Sequence, residues 1–348
     1  MKRLVSNMIN KNRHLKMADS LYRVILQRRA ELLEQGLTAV SFQFPGQFES
    51  RVSDMLHSEE FKIAVLPRLV ADATKNWTGK RVFFLHIPKT AGTAIRMALV
   101  RSLRIPPYEL YTNNTSLIEA LEFTHNDFWP LYYGHENIAF FPEGYSGITI
   151  FRESRSRALS LYRQKCRAAV IDNPLDINQV AFQEMRKIAL KLLSTPFGEW
   201  LNVPSQLSSI EYFIPSKQFG RNSYESNEFQ SHILSLSSNK IEKCLNESLA
   251  RFTHAAWVHD ETAILKAISE ISGGEITELP RENVFPNLEE YPTQILDKDA
   301  IIKLNAFQEK EAILHKVAHE HGLVPLLSKS EADDLFEITA KRLGFIFA

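Results

Sequence analysis

Between Arg81 and Arg101 the sequence RVFFLHIPKTAGTAIRMALVR changes its hydrophobic period, and that change restricts the fold more than any other feature of the chain. Val82, Phe83, Phe84 and Leu85 form an unbroken apolar run that extends to Ile87, which predicts a strand buried on both faces. Pro88 ends it. From Thr93 onward the spacing is helical, with Ile95, Ala98, Leu99 and Leu103 on one face and Arg96 and Arg101 turned elsewhere. A doubly buried strand that feeds directly into a helix belongs to an α/β protein with a parallel sheet.

Lys89, Thr90, Ala91, Gly92, Thr93 and Ala94 occupy the joint between strand and helix. A helix N-terminus presents unpaired backbone N–H groups and the positive end of its dipole at one spot. Lys89 adds a full charge there, Thr90 and Thr93 add hydroxyl donors, and Gly92 allows close approach to the backbone. The joint therefore suits an anion. On the residues alone, an ordinary turn with a solvated lysine stays open. The GxxxxGK[ST] order is not met, because Lys89 precedes Gly92, so the expected anion loop is a variant of that pattern.

A second unit of the same kind follows. Ile148 to Phe151 reads as another buried strand, and RESRSRALSLYRQKCRAA continues with helical spacing, placing Arg152 at the strand end and Ser160 about two turns on. Arg155, Arg157, Arg163, Lys165 and Arg167 make this the densest basic stretch, a pattern that usually marks a solvated helix face. Between the two units, Tyr132 and Tyr133 suggest a strand with Gly134-His135 at its carboxyl end, where open parallel sheets bind ligands. Histidine suits a general base, because its ordinary pKa lies near neutrality. Taken alone, His135 reads more readily as a histidine satisfied within an aromatic surround.

The 348 residues carry 41 basic and 41 acidic side chains, so no global field favours nucleic acid or an anionic membrane. The hydrophobic content of 44% supports a large core. Cys166 and Cys244 lie far apart with no metal-ligand spacing around them, so a zinc site and a disulfide framework are not expected. His315 and His319 are spaced i, i+4 without a third ligand and read as a solvated helix face. The basic N-terminus lacks the apolar core of a signal peptide, and no run of about 18 apolar residues is present.

Helices are expected over Lys16–Gly36, Glu59–Val65, Ser116–Phe123, Asn178–Leu193, Asp299–His321 and Glu331–Leu343. A late strand over Ala255–Val258 is expected to lead into a helix capped by Asp260 or Thr262 and ending near Gly273. Phe197, Trp200, Tyr212, Phe213 and Phe219 offer aromatic faces to a sugar or simply belong to the core. The division expected is a helical extension over 1–78, an α/β domain over 79–325 and a C-terminal helix over 326–348.

FLHIPKTAGT resembles the 5′-phosphosulfate loop of sulfotransferases that use 3′-phosphoadenosine 5′-phosphosulfate, in the branch containing heparan sulfate 2-O-sulfotransferase and its bacterial relatives. ITIFRESRSRALSLY resembles the 3′-phosphate motif of that family. The resemblance spans Arg81 to Gly322 in outline and is sharp only in these motifs. Ala94 departs from it where a hydroxyl residue is usual, and Glu153-Ser154 stands where Asp-Pro is common. It implies a P-loop-like parallel sheet flanked by helices, a donor held by residues 89–94, Arg152 and Ser160, and catalysis by Lys89 with His135 as base. His125 and Glu136 are the nearest rivals for the base.

The implied activity is sulfuryl transfer to a carbohydrate or glycoconjugate hydroxyl, with no metal required. Golgi members of the family carry a membrane anchor, so this chain fits a cytoplasmic, bacterial enzyme or a trimmed catalytic domain, with residues 1–78 packing on the core or supporting a homo-oligomer. The rivals are a P-loop kinase-like phosphotransferase using ATP and magnesium, and a nucleotide-binding scaffold without catalysis.

Overall fold

The computed structural model describes residues 18–23, 25–26, 52, 54–55, 58, 60–61, 65, 79–103, 130–135, 137–171, 179–202, 208–215, 235–280 and 291–348. The chain divides into two compact units, residues 1–78 with 114–129, and residues 79–113 with 130–348. In the first unit Ala18–Arg23 is helical, with Arg23 Nε paired to Asp19 at 2.7 Å. Apart from Ile25 and Leu26, the remainder of the helix expected over Lys16–Gly36, most of that over Glu59–Val65, and all of that over Ser116–Phe123 lie outside the described residues. So do His125, Glu136 and Phe219.

The second unit is α/β, with a central parallel sheet flanked by helices. Its strands are β1 (Val82–Leu85), β2 (Leu131–Gly134), β3 (Ser146–Phe151) and β4 (Phe252–Trp257), in the order β2-β1-β3-β4. All three pairings are parallel, with Phe84 opposite both Tyr133 and Ile148. Every residue of β1 is buried, as the unbroken VFFL run requires. The late strand starts three residues earlier than its apolar run suggests, because Thr253 and His254 occupy exposed and half-exposed edge positions.

Helix α1 (Gly92–Leu103) buries the predicted face of Ile95, Ala98, Leu99 and Leu103. The helices α2 (Ser154–Cys166), α3 (Gln179–Ser194) and α4 (Ser238–Leu249) follow in the chain, and then α5 (Glu261–Ser272). Asp260 caps α5 by accepting from the Ala263 N–H at 2.8 Å, and Gly273 ends it at φ 73°, in the left-handed region that glycine enters at little cost. α1 and α5 pack together, and Ser102 and Ser272 share a hydrogen bond between their hydroxyls.

The C-terminal part comprises β5 (Gln294–Leu296), α6 (Lys298–Glu320), α7 (Lys329–Arg342) and β6 (Phe345–Phe347), with β5 and β6 paired in parallel. Around α2 these elements build a core of Leu159, Tyr162, Phe197, Trp200, Leu304, Phe336 and Phe345. Phe197, Trp200, Tyr212 and Phe213 are all buried, so none offers a stacking face to a sugar. Their apolar rings stabilise the fold by about 1.5–3 kcal/mol each relative to exposure, and that term decides where they lie.

The basic stretch on α2 is also not a solvated face. Arg155, Arg157 and Arg163 are buried, while Lys165 is exposed. Arg163 donates to the carbonyls of Leu343 at 2.7 Å, Gly344 at 3.0 Å and Pro292 at 3.2 Å, and it stacks 4.7 Å from the Phe345 ring. Arg155 pairs with Glu153 and with Asp333, both at 2.9 Å. The periodicity hid this role, since a guanidinium satisfied by carbonyls can enter a core that lysine leaves. His315 is likewise packed edge-on against Trp257 at 4.9 Å rather than solvated.

Candidate functional site

The carboxyl ends of β1, β2 and β3 open on a cavity of about 790 Å³. Its lining includes Lys89, Ala91, Gly92, Thr93, Ala94, His135, Arg152 and Ser160, residues from three separate strand ends and the helices that follow them. In a parallel sheet, adjacent strands that end together bring such turns to one edge.

The first turn is conformationally unusual. Lys89 and Ala91 have φ of 71° and 59°, a region that few residues other than glycine adopt. Thr90 lies between them, fully buried, and its hydroxyl donates to the Ile87 carbonyl at 2.8 Å. That hydroxyl is therefore spent on holding the turn and does not line the cavity. Thr93, Gly92 and Ala94 bring the first turn of α1 to the cavity wall, where helix geometry aims backbone N–H groups outward.

Gly92 serves a further purpose. A Cβ built on it would lie 1.8 Å from His86 Nε2, so the absent side chain makes room for an imidazole rather than only for an anion. The His86 ring packs 4.2 Å from that of His135 and 5.6 Å from Phe84. His135 Nδ1 lies 2.7 Å from the His86 carbonyl oxygen. A carbonyl only accepts, so Nδ1 carries the hydrogen and Nε2 is the basic nitrogen.

Burial lowers the His135 pKa below 6.5; the bond to the His86 carbonyl opposes this, and the nearby Lys89 charge adds a smaller lowering effect. Burial and the neighbouring His135, Lys89 and Arg96 hold His86 well below its ordinary range. Both imidazoles are thus neutral at pH 7.

The cavity is strongly cationic. Burial, then Arg152 and Arg167, push the Lys89 ammonium down to about 8. Burial, then Arg342, push Arg152 down to about 10, with Glu153 opposing and Arg157 adding to the effect, so Arg152 keeps its charge at neutral pH. Arg152 Nη1 donates to the Lys89 carbonyl at 3.1 Å, which ties the two strand-end turns together. Glu153 also lines the cavity and partly offsets the charge at Arg152. Its carboxylate caps α2, accepting from the N–H groups of Arg155 at 3.1 Å and Ser156 at 2.7 Å, and it is paired with the Arg155 side chain.

The lining also holds residues that the sequence reading does not assign to the site, among them His86, Arg96, Arg167 and Arg342. His86 sits at the end of the apolar run, one residue before its last member, and Arg96 is a helix arginine off the apolar face whose Nη1 donates to the Tyr133 hydroxyl at 3.2 Å. Arg167 belonged to the basic run, and its Nε is buried without a hydrogen-bond partner among the described residues. Arg342 carried no local signal, because it reaches the cavity only through the packing of α7 on α2. Among the described residues no group of three or more His, Cys, Asp or Glu side chains is arranged to hold a metal, and no helix is long and apolar enough to cross a membrane. Comparison with protein-family models, curated proteins and solved structures gave no match.

Proposed function

We propose that this cavity binds 3′-phosphoadenosine 5′-phosphosulfate and that the protein transfers its sulfuryl group to a hydroxyl of a carbohydrate or glycoconjugate. One observation carries the reading: the Lys89 turn, the Arg152–Ser160 pair and a histidine with a basic Nε2 all line the same cavity. Neighbouring cations that depress the pKa values of Lys89 and Arg152, with a buried guanidinium nitrogen left unpartnered, fit a ligand bearing separated negative groups. The donor has phosphate at both ends of its ribose. The two strand–turn–helix units, read as a P-loop-like variant, offer one anion site each.

The division of labour follows from charge and tautomer. Lys89, with the N–H groups of the first turn of α1 and the Thr93 hydroxyl, would hold the 5′-phosphosulfate. Arg152 and Ser160 would hold the 3′-phosphate. His135 Nε2 takes the proton of the acceptor hydroxyl as the hydroxyl oxygen bonds to sulfur. Lys89 offsets the charge that the departing adenosine bisphosphate acquires when its bond to sulfur breaks, a stabilisation placed before the reaction begins. On this reading residues 1–78 are a helical extension outside the catalytic unit, and the enzyme is cytoplasmic.

Calorimetric titration with adenosine 3′,5′-bisphosphate, AMP and ATP–magnesium tests the assignment without knowledge of the acceptor. Wild type should prefer the bisphosphate to AMP, and Arg152→Ala should lose that preference at a cost of about 1.5–3 kcal/mol for a charged hydrogen bond. Tighter binding of ATP–magnesium, or indifference to the 3′-phosphate, would move the protein to phosphoryl transfer.

A further inference from the structure

The C-terminal helix approaches the cavity in a fixed position. Arg155 holds α7 through Asp333 at 2.9 Å and lies 4.6 Å from the Phe336 ring, and the Ser156 hydroxyl donates to the Leu335 carbonyl at 3.1 Å. Arg163, fully buried, grips the carbonyls of Leu343 and Gly344 immediately after the helix. The residue between these anchors and the body of the helix is Arg342. It lines the cavity with Leu335, Ile338 and Thr339 of its own helix, and with Arg152, Ser160 and Arg167 from the strand-end unit.

We infer that Arg342 is a third ligand-binding cation at the Arg152–Ser160 end of the cavity, so that the C-terminal helix is part of the nucleotide site and helps select for a 3′-phosphate. This rests on the sulfate-donor reading above. The geometry supports it independently of any motif: α2 spends buried arginines on fixing α7, and that fixing brings Arg342 to the wall of the cavity that Arg152 also lines. Arg342 also lowers the pKa of Arg152 more than any other charge does. Two arginines lining one cavity, where the Glu153 carboxylate is already paired with Arg155, are stabilised by a doubly charged phosphate that accepts from both. The plain alternative is that Arg342 only complements the C-terminal end of the α7 dipole, which a basic residue in the last turn does on any helix.

The two roles separate by ligand. In Arg342→Gln, binding of adenosine 3′,5′-bisphosphate should weaken about 10-fold or more while AMP binding stays at the wild-type value. Arg342→Lys, which keeps the charge but not the fork, should recover part of the loss. Thermal melting of the unliganded variants establishes that each is folded. Equal affinity of Arg342→Gln and wild type for the bisphosphate, or an equal loss for both nucleotides, would overturn the inference. If Arg152→Ala still loses the bisphosphate preference, such a result leaves the sulfate-donor reading standing. A wild type without any preference for the bisphosphate over AMP would remove both.

Discussion

Lys89 occupies a left-handed backbone position among arginines, and its ammonium is pushed down to about 8. The lowered pKa means that the unfolded chain holds a proton here that the unliganded fold sheds between about 8 and 10.5, so this group makes the unliganded protein more stable as pH rises through that window. Anion binding has the opposite dependence, because it needs the charged form. Affinity for adenosine 3′,5′-bisphosphate should fall by up to about 10-fold per pH unit above 8, with proton uptake on binding, and Lys89→Arg should flatten the profile between pH 7 and 9. Titration in buffers of different ionisation enthalpy measures the protons directly. His135 behaves differently. With its pKa below 6.5 it is already a free base at pH 7, so turnover should hold until the solution is more acidic than the ordinary histidine range, and His135→Ala should cut turnover by about 10²-fold or more with little effect on nucleotide affinity.

At the level of elements, α2 does more than carry Ser160. Arg163→Leu would strand the Leu343, Gly344 and Pro292 carbonyls without their donor, and unfolding in urea should show a loss of about 2–4 kcal/mol. The strands and helices of the sheet were legible from periodicity, since β1, α1 and β3 follow their apolar spacing closely. Gly92 was recognised as necessary for another reason than the one the structure gives. Its partner His86 is six residues away in sequence, and only the turn brings the two together. The arginines of α2 could not be sorted in advance, because whether a guanidinium is buried depends on carbonyls contributed about 130 to 180 residues later.

At the scale of the whole molecule, the site combines residues 86–96, 133–135, 152–167 and 335–343. The first three clusters announce themselves as strand ends, whereas the last depends on how the C-terminal helix returns to α2. Neutral overall charge conceals this local field, since the 41 basic side chains are matched by 41 acidic ones while the cavity gathers Lys89, Arg96, Arg152, Arg167 and Arg342. The central claim is that one cavity holds both phosphates of a donor nucleotide, each at its own strand end. A difference map from crystals of the protein soaked with adenosine 3′,5′-bisphosphate tests it most directly. The account predicts one phosphate against Lys89 and the first turn of α1, and the other against Arg152, Ser160 and Arg342. Density for both phosphates at the Lys89 turn, with none beside Arg152, would contradict it.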